Sequence, residues 1–335
     1  MILNLNKRVH MKLKFAWLLL SILCCFQLQL AHGQGTFPDK AIHLIVPQAA
    51  GGPSDVIGRV LAQRLSESLG KSVIVDNKPG AGGNIGVDAT AKAKPDGYLM
   101  IVTIVGNIAI NDSLFKNLPF SATRDLEGIS KVVSSPMVLV ANPAFEPNSI
   151  AELIALAKSK PAMTFSYGSP GAGSPQHIGG ELVNSKAGIK LGHIPYKGAA
   201  PALTDLLGNQ VPLAIVGLPA ALPYIKSGKI KAIAVFSKTR SRLAPNIPTF
   251  VESGFPEIEA ELVYGVFVPA GTPKPVVNTL NQKIGDALNS KEVREKFLND
   301  GFDVVFSTPG ELNDYLKSEV LKWRPVVRES GATPD

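Results

Sequence analysis

The 335-residue sequence predicts an α/β protein of two lobes, each a mixed sheet flanked by helices, with a ligand cleft between the lobes. Apolar residues make up 45% of the chain and charged residues 18%, which is enough apolar surface for packed cores. Short apolar runs alternate with segments whose apolar residues recur at helical spacing. This alternation weakens over residues 118–130 and then starts again, which indicates a second lobe.

The N-terminus has the pattern of a secretory signal peptide. Four basic residues precede an apolar run over residues 15–26: Lys7, Arg8, Lys12 and Lys14. The run is shorter than the ~20 residues of a membrane span, and a small-x-small site at residues 31–33 follows it. We therefore expect cleavage after Gly33 and export to the periplasm, rather than an uncleaved anchor.

Cysteine content and charge exclude several classes of site. Cys24 and Cys25 both lie in the segment that would be removed, so we expect no disulfide, thiolate metal site or cysteine nucleophile in the mature chain. Without the four N-terminal basic residues the formal charge falls from +7 to +3, because 30 basic residues then face 27 acidic ones. So small a surplus, without a basic run, argues against a nucleic-acid partner.

The first lobe is predicted from a βαβαβ series. A strand at residues 42–46 precedes a helix that begins at Pro53 or Ser54 and has apolar residues at helical spacing: Ile57, Val60, Leu61, Leu65 and Leu69. Strands at residues 72–75 and 98–104 enclose a second helix over residues 82–92.

The second lobe is predicted from a strand at residues 137–141, after which Ser149 and Glu152 form a capping box that opens a helix. Its remaining elements follow in alternation: strands at 164–167, 211–216 and 230–236, and helices at 176–186, 201–207 and 221–226.

One further strand at residues 263–268 precedes a helical C-terminal region, whose last helix is capped by Thr308 and Glu311. Several helices with a single strand do not easily make a third domain, so we expect them to pack on the first lobe. The predicted boundaries are residues 1–33 for the signal peptide, 34–136 and 261–335 for lobe 1, and 137–260 for lobe 2.

Two glycine-rich turns, each just before a predicted helix, are the candidate binding sites. The first turn is residues 47–55 and the second is residues 168–175. Glycine lets the backbone approach a ligand closely, and a helix start offers free N–H groups and the positive end of the helix dipole. Two such turns at one cleft suit a ligand with two acidic ends. A third turn, residues 78–84, is expected to border the same cleft.

Three other kinds of site find less support. No turn continues into Gly-Lys-Ser/Thr or has Gly-x-Gly-x-x-Gly spacing, which disfavours nucleotides, and no cofactor is expected. Ser174, His177 and Asp205 are candidates for a hydrolase triad, but no Gly-x-Ser-x-Gly elbow occurs and Ser174 before Pro175 is typical of a helix N-cap. The histidines lack metal-ligand spacing, so no metal is expected.

Six motifs occur in a fixed order along the chain: residues 47–55, 77–86, 94–98, 167–174, 195–198 and 269–273. Together they resemble the Bug family of extracytoplasmic solute receptors, the binding component of tripartite tricarboxylate transporters. The resemblance extends over residues 37–331. It implies a two-lobed periplasmic-binding-protein fold (Venus flytrap) and a monomer that closes on a small carboxylate ligand. It also implies delivery of that ligand to the membrane permease subunits of the transporter.

The resemblance also implies a set of ligand-binding residues by position. They lie in the first-lobe loop, which holds a carboxylate through backbone N–H groups and bridging waters, and in the second-lobe loop: Gly51, Gly52, Ser54, Asp55, Ser169, Ser174 and His177. His177 either donates to a bound carboxylate or has a structural role. Asp205 organises the loop at residues 196–198, receives an amine, or lies on a solvated helix face.

Two positions depart from the family pattern and bear on ligand choice. Ile108 stands where relatives often have His, and Tyr264 stands where Trp is usual. Both can face the cleft, and a core position for Tyr264 is the open alternative. Because these changes alter polarity and volume, a citrate-like specificity is not simply inherited. Asn107 is a further candidate ligand contact.

The predicted function is that of a non-catalytic receptor that works by hinge closure. Ligand bound to one lobe gains contacts from the other lobe and so favours the closed form. A periplasmic sensor subunit that signals through a kinase is the alternative, since it would use the same ligand site. A Ser/His hydrolase is the more remote one.

Overall fold

Most of the strands form one hydrogen-bonded path that is divided between two sheets, and the other two pair with a single strand of that path. The computed structural model describes residues 37–334, so the predicted signal peptide, with Cys24 and Cys25, lies outside the described residues. The strands in this range are β1 (Ile42–Val46), β2 (Val73–Asn77), β3 (Leu99–Ile104), β4 (Leu126–Ala141), β5 (Ser166–Ser169), β6 (Gly192–Pro195), β7 (Leu213–Gly217), β8 (Lys231–Val235), β9 (Glu261–Pro269) and β10 (Asp303–Val304).

The helices surround these strands, and one short 3-10 turn (Ala81–Gly83) precedes the second of them. In the same range they are α1 (Pro53–Leu69), α2 (Asn84–Ala91), α3 (Val105–Leu114), α4 (Ala122–Asp125), α5 (Ile150–Lys158), α6 (Pro175–Ala187), α7 (Ala199–Leu207), α8 (Leu218–Lys226), α9 (Lys274–Asn289), α10 (Lys291–Asn299) and α11 (Pro309–Ser330). Across residues 37–334 no helix is both long and apolar enough to cross a membrane.

The first sheet is mixed and carries the first and third glycine-rich turns. β1 pairs in parallel with β2 and β3, whereas β9 is antiparallel to β3 and β4. The parallel strands therefore end at the same edge of the sheet. At this edge the first turn follows β1, the third turn follows β2, and α3 follows β3 without a gap.

The second sheet is also mixed and carries the second glycine-rich turn. β5 pairs in parallel with β6 and β7, and the end of β4 pairs in antiparallel with β7 and β8. The second turn follows β5, and residues 196–198 follow β6, so both lie at the carboxyl edge of this sheet.

β4 belongs to both sheets. Its residues 126–136 pair with β9, and the last of these pairs is Pro136 with Glu261. Its residues 137–141 pair with β7 and β8, beginning with Met137 opposite Gly217. The residues from Ala41 onward form one unit, in which this strand passes from one sheet to the other.

The most extensive difference from the predicted elements is β4, of which only residues 137–141 were predicted. Most side chains of β4 are buried on both faces of the strand, so the sequence lacks the alternation that marks a half-buried strand. Helix α3, strand β6 and strand β10 were likewise not predicted. β5 lies two residues later than the predicted strand at residues 164–167.

The two predicted capping boxes have different outcomes. At α11 the Thr308 hydroxyl accepts from the Glu311 N–H, and the Glu311 carboxylate accepts from the Thr308 N–H, which completes the box. At α5 Ser149 accepts from the Glu152 N–H, but the Glu152 carboxylate accepts from Asn148, one residue earlier. Both helix starts are therefore as predicted, but at α5 only one of the two hydrogen bonds of the capping box is present.

The C-terminal helices pack on the first sheet and its helices. α9 packs on α1 and β4, while α11 packs on α3, β4 and α6. The apolar stripe of α11 is buried: Leu312, Leu316, Val320 and Trp323. α11 therefore contacts helices that follow strands of both sheets, α3 after β3 and α6 after β5.

Candidate functional site

The three glycine-rich turns meet around α3. Gly83 of the third turn lies against the first turn, because a Cβ placed on it would stand 3.5 Å from Pro47 Cβ. The carbonyl oxygen of Gly82 accepts hydrogen bonds from the Asn107 and Asn111 side chains of α3, at 3.4 and 3.1 Å. A Cβ on Gly173, in the second turn, would stand 3.2 Å from Asn111 Oδ1. α3 thus connects the third turn with the second.

The carboxylate of Asp55 organises the first turn. Its Oδ2 accepts from the Gly51 N–H and from Arg59 Nε, both at 2.9 Å, and its Oδ1 accepts from Asn77 Nδ2 at 3.0 Å. Burial raises the pKa of Asp55, but these three donors outweigh burial and hold the pKa below its ordinary value. The Gly51 N–H is therefore already engaged by Asp55 inside the turn.

Ser54 and Gly52 differ from their neighbours in the first turn. Ser54 is 3% exposed at the start of α1, and its hydroxyl has no hydrogen-bond partner within residues 37–334. Gly52 is the N-cap of α1, and no side chain caps this helix end. These two residues therefore leave polar groups available at a positive helix end.

The second turn is held by hydrogen bonds among its own residues and α6. Ser174 is the N-cap of α6, as predicted: it accepts from the His177 N–H at 3.2 Å and donates to the Gly171 carbonyl at 2.7 Å. Nδ1 of His177 accepts from the Gly173 N–H at 3.1 Å. The buried Ser169 hydroxyl lies 2.6 Å from His193 Nε2. All these residues give the turn its shape.

Two imidazoles stack beneath the second turn. The rings of His177 and His193 are 3.7 Å apart at their centroids and only 8° from parallel. Burial, reinforced by the neighbouring His177, lowers the pKa of His193 to about 3. The neutral form of His193 is therefore the one that the folded protein accommodates. Below this pair, the Tyr167 hydroxyl lies 2.9 Å from both the His177 carbonyl oxygen and Glu181 Oε1.

Asp205 organises the loop after β6. Its Oδ2 accepts a 2.7 Å hydrogen bond from the Tyr196 hydroxyl. Burial, and after it the bond to Asp205, raises the pKa of Tyr196 to about 12. The Tyr196 ring covers Gly168 at the start of the second turn, and the Tyr196 N–H donates to the Ser169 carbonyl at 2.9 Å. This hydrogen bond is the contact expected for the first of the three roles considered for Asp205, organisation of the loop at residues 196–198.

The comparisons with known proteins decide the family. Residues 57–332 match the family described as the tripartite tricarboxylate transporter family receptor, TctC. The chain belongs to this receptor family. Protein BugT of Bordetella pertussis is 40% identical over 298 residues, which are 89% of this chain and 91% of BugT. A protein from the TAR-I ttuE-ttuC' intergenic region of Agrobacterium vitis is 34% identical over 304 residues, 90% of this chain and 87% of that protein.

Solved structures of related receptors have the same fold. Periplasmic binding protein BugD is 36% identical with a TM-score of 0.81, over 89% of this chain and 99% of its own. Rpa4515 of R. palustris with adipate is 31% identical with a TM-score of 0.83, over 89% of this chain and 100% of its own. MatC of Rhodopseudomonas palustris with bound malate is 28% identical with a TM-score of 0.80, over 87% of this chain and 100% of its own. The predicted Bug-family resemblance and periplasmic-binding-protein fold are confirmed.

In this member of the receptor family, the predicted site residues do not all come together. Asn107 lies at the junction of the turns, on α3. Tyr264 lies in the core: it is 2% exposed on β9, and its ring packs edge to face on Phe302 at 5.8 Å. Tyr264 was predicted as a ligand contact with a core position as the alternative, and its contacts are those of the core position. Ile108 is buried as well, at 1% exposure.

Several polar residues at the junction were missed by the sequence analysis. Gln48, Asn84 and Asn111 contribute side-chain amides there, and Gln176 is buried at the start of α6. The available signal was an amide beside each glycine-rich turn, together with the four-residue spacing of Asn107 and Asn111, which places both on one face once α3 is known to be a helix. Among residues 37–334 no group of three or more His, Cys, Asp or Glu is arranged to hold a metal ion.

Proposed function

We propose that this receptor captures a small carboxylate between two lobes in the periplasm and delivers it to the membrane permease of a tripartite tricarboxylate transporter. The observation that carries the proposal is the meeting of three glycine-rich turns at the carboxyl edges of two sheets. Open α/β sheets bind ligands at such edges. Related receptors with bound adipate and malate support a carboxylate as the ligand class.

The lobes in this proposal are residues 34–136 with 261–335, and residues 137–260. The sheet topology supports this division, because β4 changes its partners between Pro136 and Met137 and β9 begins at Glu261. A bend in β4 and in the segment before β9 would separate the second turn from α3. Ligand that contacts both sides would then favour the closed form.

The proposed carboxylate site uses the start of α1 on one side and the start of α6 on the other. At α1 the donors are the Gly52 N–H and the Ser54 hydroxyl, since the Gly51 N–H is held by Asp55. On the other side, helix α6 begins at Pro175. The hydrogen bond between Ser174 and the His177 N–H sets the geometry of this helix start. Helix starts favour anions without a Lys or Arg.

The proposal includes no catalytic step. In the hydrolase alternative Ser174 is the nucleophile, yet its hydroxyl donates to the Gly171 carbonyl and not to a base. Nδ1 of His177 accepts from Gly173, and Asp205 is bonded to Tyr196 on another loop. These contacts favour binding over acyl transfer. The remaining parts of the proposal are cleavage of the signal peptide after Gly33 and a monomeric receptor, both of which follow the family pattern.

The test is a thermal-shift screen of the refolded, ligand-free mature chain against mono-, di- and tricarboxylates, aromatic acids and amino acids, followed by calorimetry. A ligand that binds only the folded state raises the melting temperature as its concentration rises. Ser54→Ala is expected to weaken binding of the best acid at least tenfold, while Ser318→Ala on an exposed face of α11 leaves it unchanged. A response to neutral or cationic compounds and to no acid would overturn the proposal.

A further inference from the structure

Four side-chain amides surround the backbone of Gly82 and Gly83, and we call them the amide cluster: Gln48, Asn84, Asn107 and Asn111. Nδ2 of Asn111 donates to Asn84 Oδ1 at 2.8 Å and to the Gly82 carbonyl at 3.1 Å. Nδ2 of Asn107 donates to the same carbonyl at 3.4 Å. Nε2 of Gln48 would lie 3.8 Å from a Cβ on Gly83. The cluster therefore spans the first and third turns and α3.

Each member of the cluster has one buried polar atom without a partner in the described part of the chain. These atoms are Gln48 Oε1, Asn84 Nδ2, Asn107 Oδ1 and Asn111 Oδ1. Asn84 and Asn111 are 6% and 1% exposed, so bulk water has little access to them. A buried polar group without a hydrogen bond costs free energy, which a suitable ligand group recovers.

The hydrogen bonds fix which end of each asparagine is oxygen. A flip of Asn111 would turn its oxygen toward the Gly82 carbonyl and Asn84 Oδ1, both acceptors, and a flip of Asn107 would do the same at Gly82. The outer atoms of Asn107 and Asn111 are therefore acceptors. Oδ1 of Asn111 points toward Gly173, on the second turn. Separation of the second turn from α3 would uncover this acceptor to a ligand.

The chemistry of these atoms selects the group that binds them. A carboxylate has no hydrogen to donate, so it leaves the oxygens of Asn107 and Asn111 unpaired. A hydroxyl donates to one of these oxygens and also accepts from Asn84 Nδ2. An ammonium donates but does not accept, and it would meet the positive end of α2, which begins at Asn84. The nearby carboxylate of Asp55 is already paired with Arg59 and Asn77.

We infer that the ligand is a hydroxy acid, in which a carboxylate binds the helix starts and at least one neutral hydroxyl binds the amide cluster. This inference rests on the proposed function, because it assumes that a carboxylate occupies the same site. It goes further by assigning the second recognition element to Asn84, Asn107 and Asn111. Ligand preference is then set by hydrogen-bond donors on the acid and not by its charge alone.

The test compares acids that share a carbon frame and differ only in substituent. Calorimetry on the ligand-free mature chain would use butanoate, butanedioate and hexanedioate, each beside its hydroxylated and its 2-amino analogues. In the frame that fits, we expect the hydroxylated acid to bind at least tenfold more tightly than the unsubstituted acid. The amino analogue is expected to bind more weakly than the hydroxylated one.

Variants then connect this preference to the cluster. Asn107→Ala and Asn111→Ala should each reduce the ratio between the affinities for the hydroxylated and the unsubstituted acid to less than threefold. Gln63→Ala, an exposed amide on α1, is the matched control and should keep the full preference. Asn107 is only half-buried, so its variant is informative even where loss of the buried Asn111 impairs folding.

The outcomes separate the inference from the proposed function. If acids bind but the hydroxylated acids bind no more tightly than the unsubstituted ones, the inference is overturned and the receptor function stands. The same holds if the amino analogue binds most tightly. Persistence of the preference in both asparagine variants also overturns it. If no hydroxylated acid binds while another carboxylate in the wider screen does, the inference falls alone. If no carboxylate binds, both fall.

Discussion

The phenol ring of Tyr167 packs so closely on Gly180 that a Cβ at that position would overlap its Cζ and hydroxyl atoms. Tyr167 lies at 0% exposure on β5, and Gly180 lies on α6, five residues after the first residue of that helix. The contact sets how near α6 lies to β5, and with it the position of the second turn between them. Glycine is required here by close approach rather than by backbone conformation.

Gly180→Ala is therefore expected to destabilise the protein by ~1–3 kcal/mol, because an added methyl group in a packed core forces side chains or backbone to shift. Urea denaturation would measure the change. Gly310→Ala is the matched control, since nothing lies within 4 Å of a Cβ at this position on α11. Equal stability of the two variants would contradict the packing described here.

Removal of the Tyr196 hydroxyl is expected to loosen the loop after β6. Tyr196→Phe removes the 2.7 Å bond between the two residues and Asp205→Asn weakens it, each at a cost of ~0.5–1.5 kcal/mol in unfolding free energy. Because both act on one interaction, the double variant should cost less than the sum. Tyr224→Phe, at a half-buried phenol of the same core, is the control. Full additivity would rule out the bond as the shared cause.

Stability is expected to fall as the pH falls below neutrality because of His193. Its pKa is about 3 in the folded protein and near 6.5 when unfolded, so the unfolded chain binds more protons between these values. The contribution of neutral His193 is complete above pH 6.5 and is lost progressively toward pH 3. Denaturation midpoints at pH 8, 6 and 5 would measure the loss, and His193→Gln should flatten it. A parallel loss in the variant would assign the pH dependence to other groups.

Ser174→Ala is expected to change both stability and binding. Loss of the N-cap costs ~1 kcal/mol, and loss of the bond to Gly171 releases the second turn, so affinity for the best acid should fall as well. Ser149→Ala removes the cap of α5 and should cost a similar amount with no change in affinity. If both variants lower affinity equally, the effect follows stability alone and Ser174 has no special place at the site.

Local patterns in the sequence were sufficient for most helices and strands. The N-caps Ser149 and Thr308 were predicted because capping residues act over a few neighbouring positions, and the start of α1 was predicted from the apolar spacing that follows it. β4 was predicted only in part, because a strand buried on both faces has no alternation. α3 was missed because its amides and glycine interrupt an otherwise apolar segment, and its contacts come from other parts of the chain.

The sequence predicted that the glycine-rich turns lie near one another, but it did not predict the hydrogen bonds within them. The three glycine-rich turns could be identified as neighbours, since each follows a strand. The sequence did not reveal that Gly51 donates to Asp55 or that Gly173 donates to His177, so the Gly51 N–H and Nδ1 of His177 are already engaged within their own turns. Tyr264 appeared able to face the cleft, but its neighbours in the strand order bury it.

Periodicity and motifs within short segments were enough to predict the α/β periplasmic-binding-protein fold and the receptor family. The tertiary structure alone decided which polar groups remain unpaired at the site. Asn111 bonds to Gly82 and Asn84, 29 and 27 residues earlier, and faces Gly173 on the second turn. Partners so far apart in the chain are brought together only by the sheet order, and ligand preference depends on what those partners leave unsatisfied.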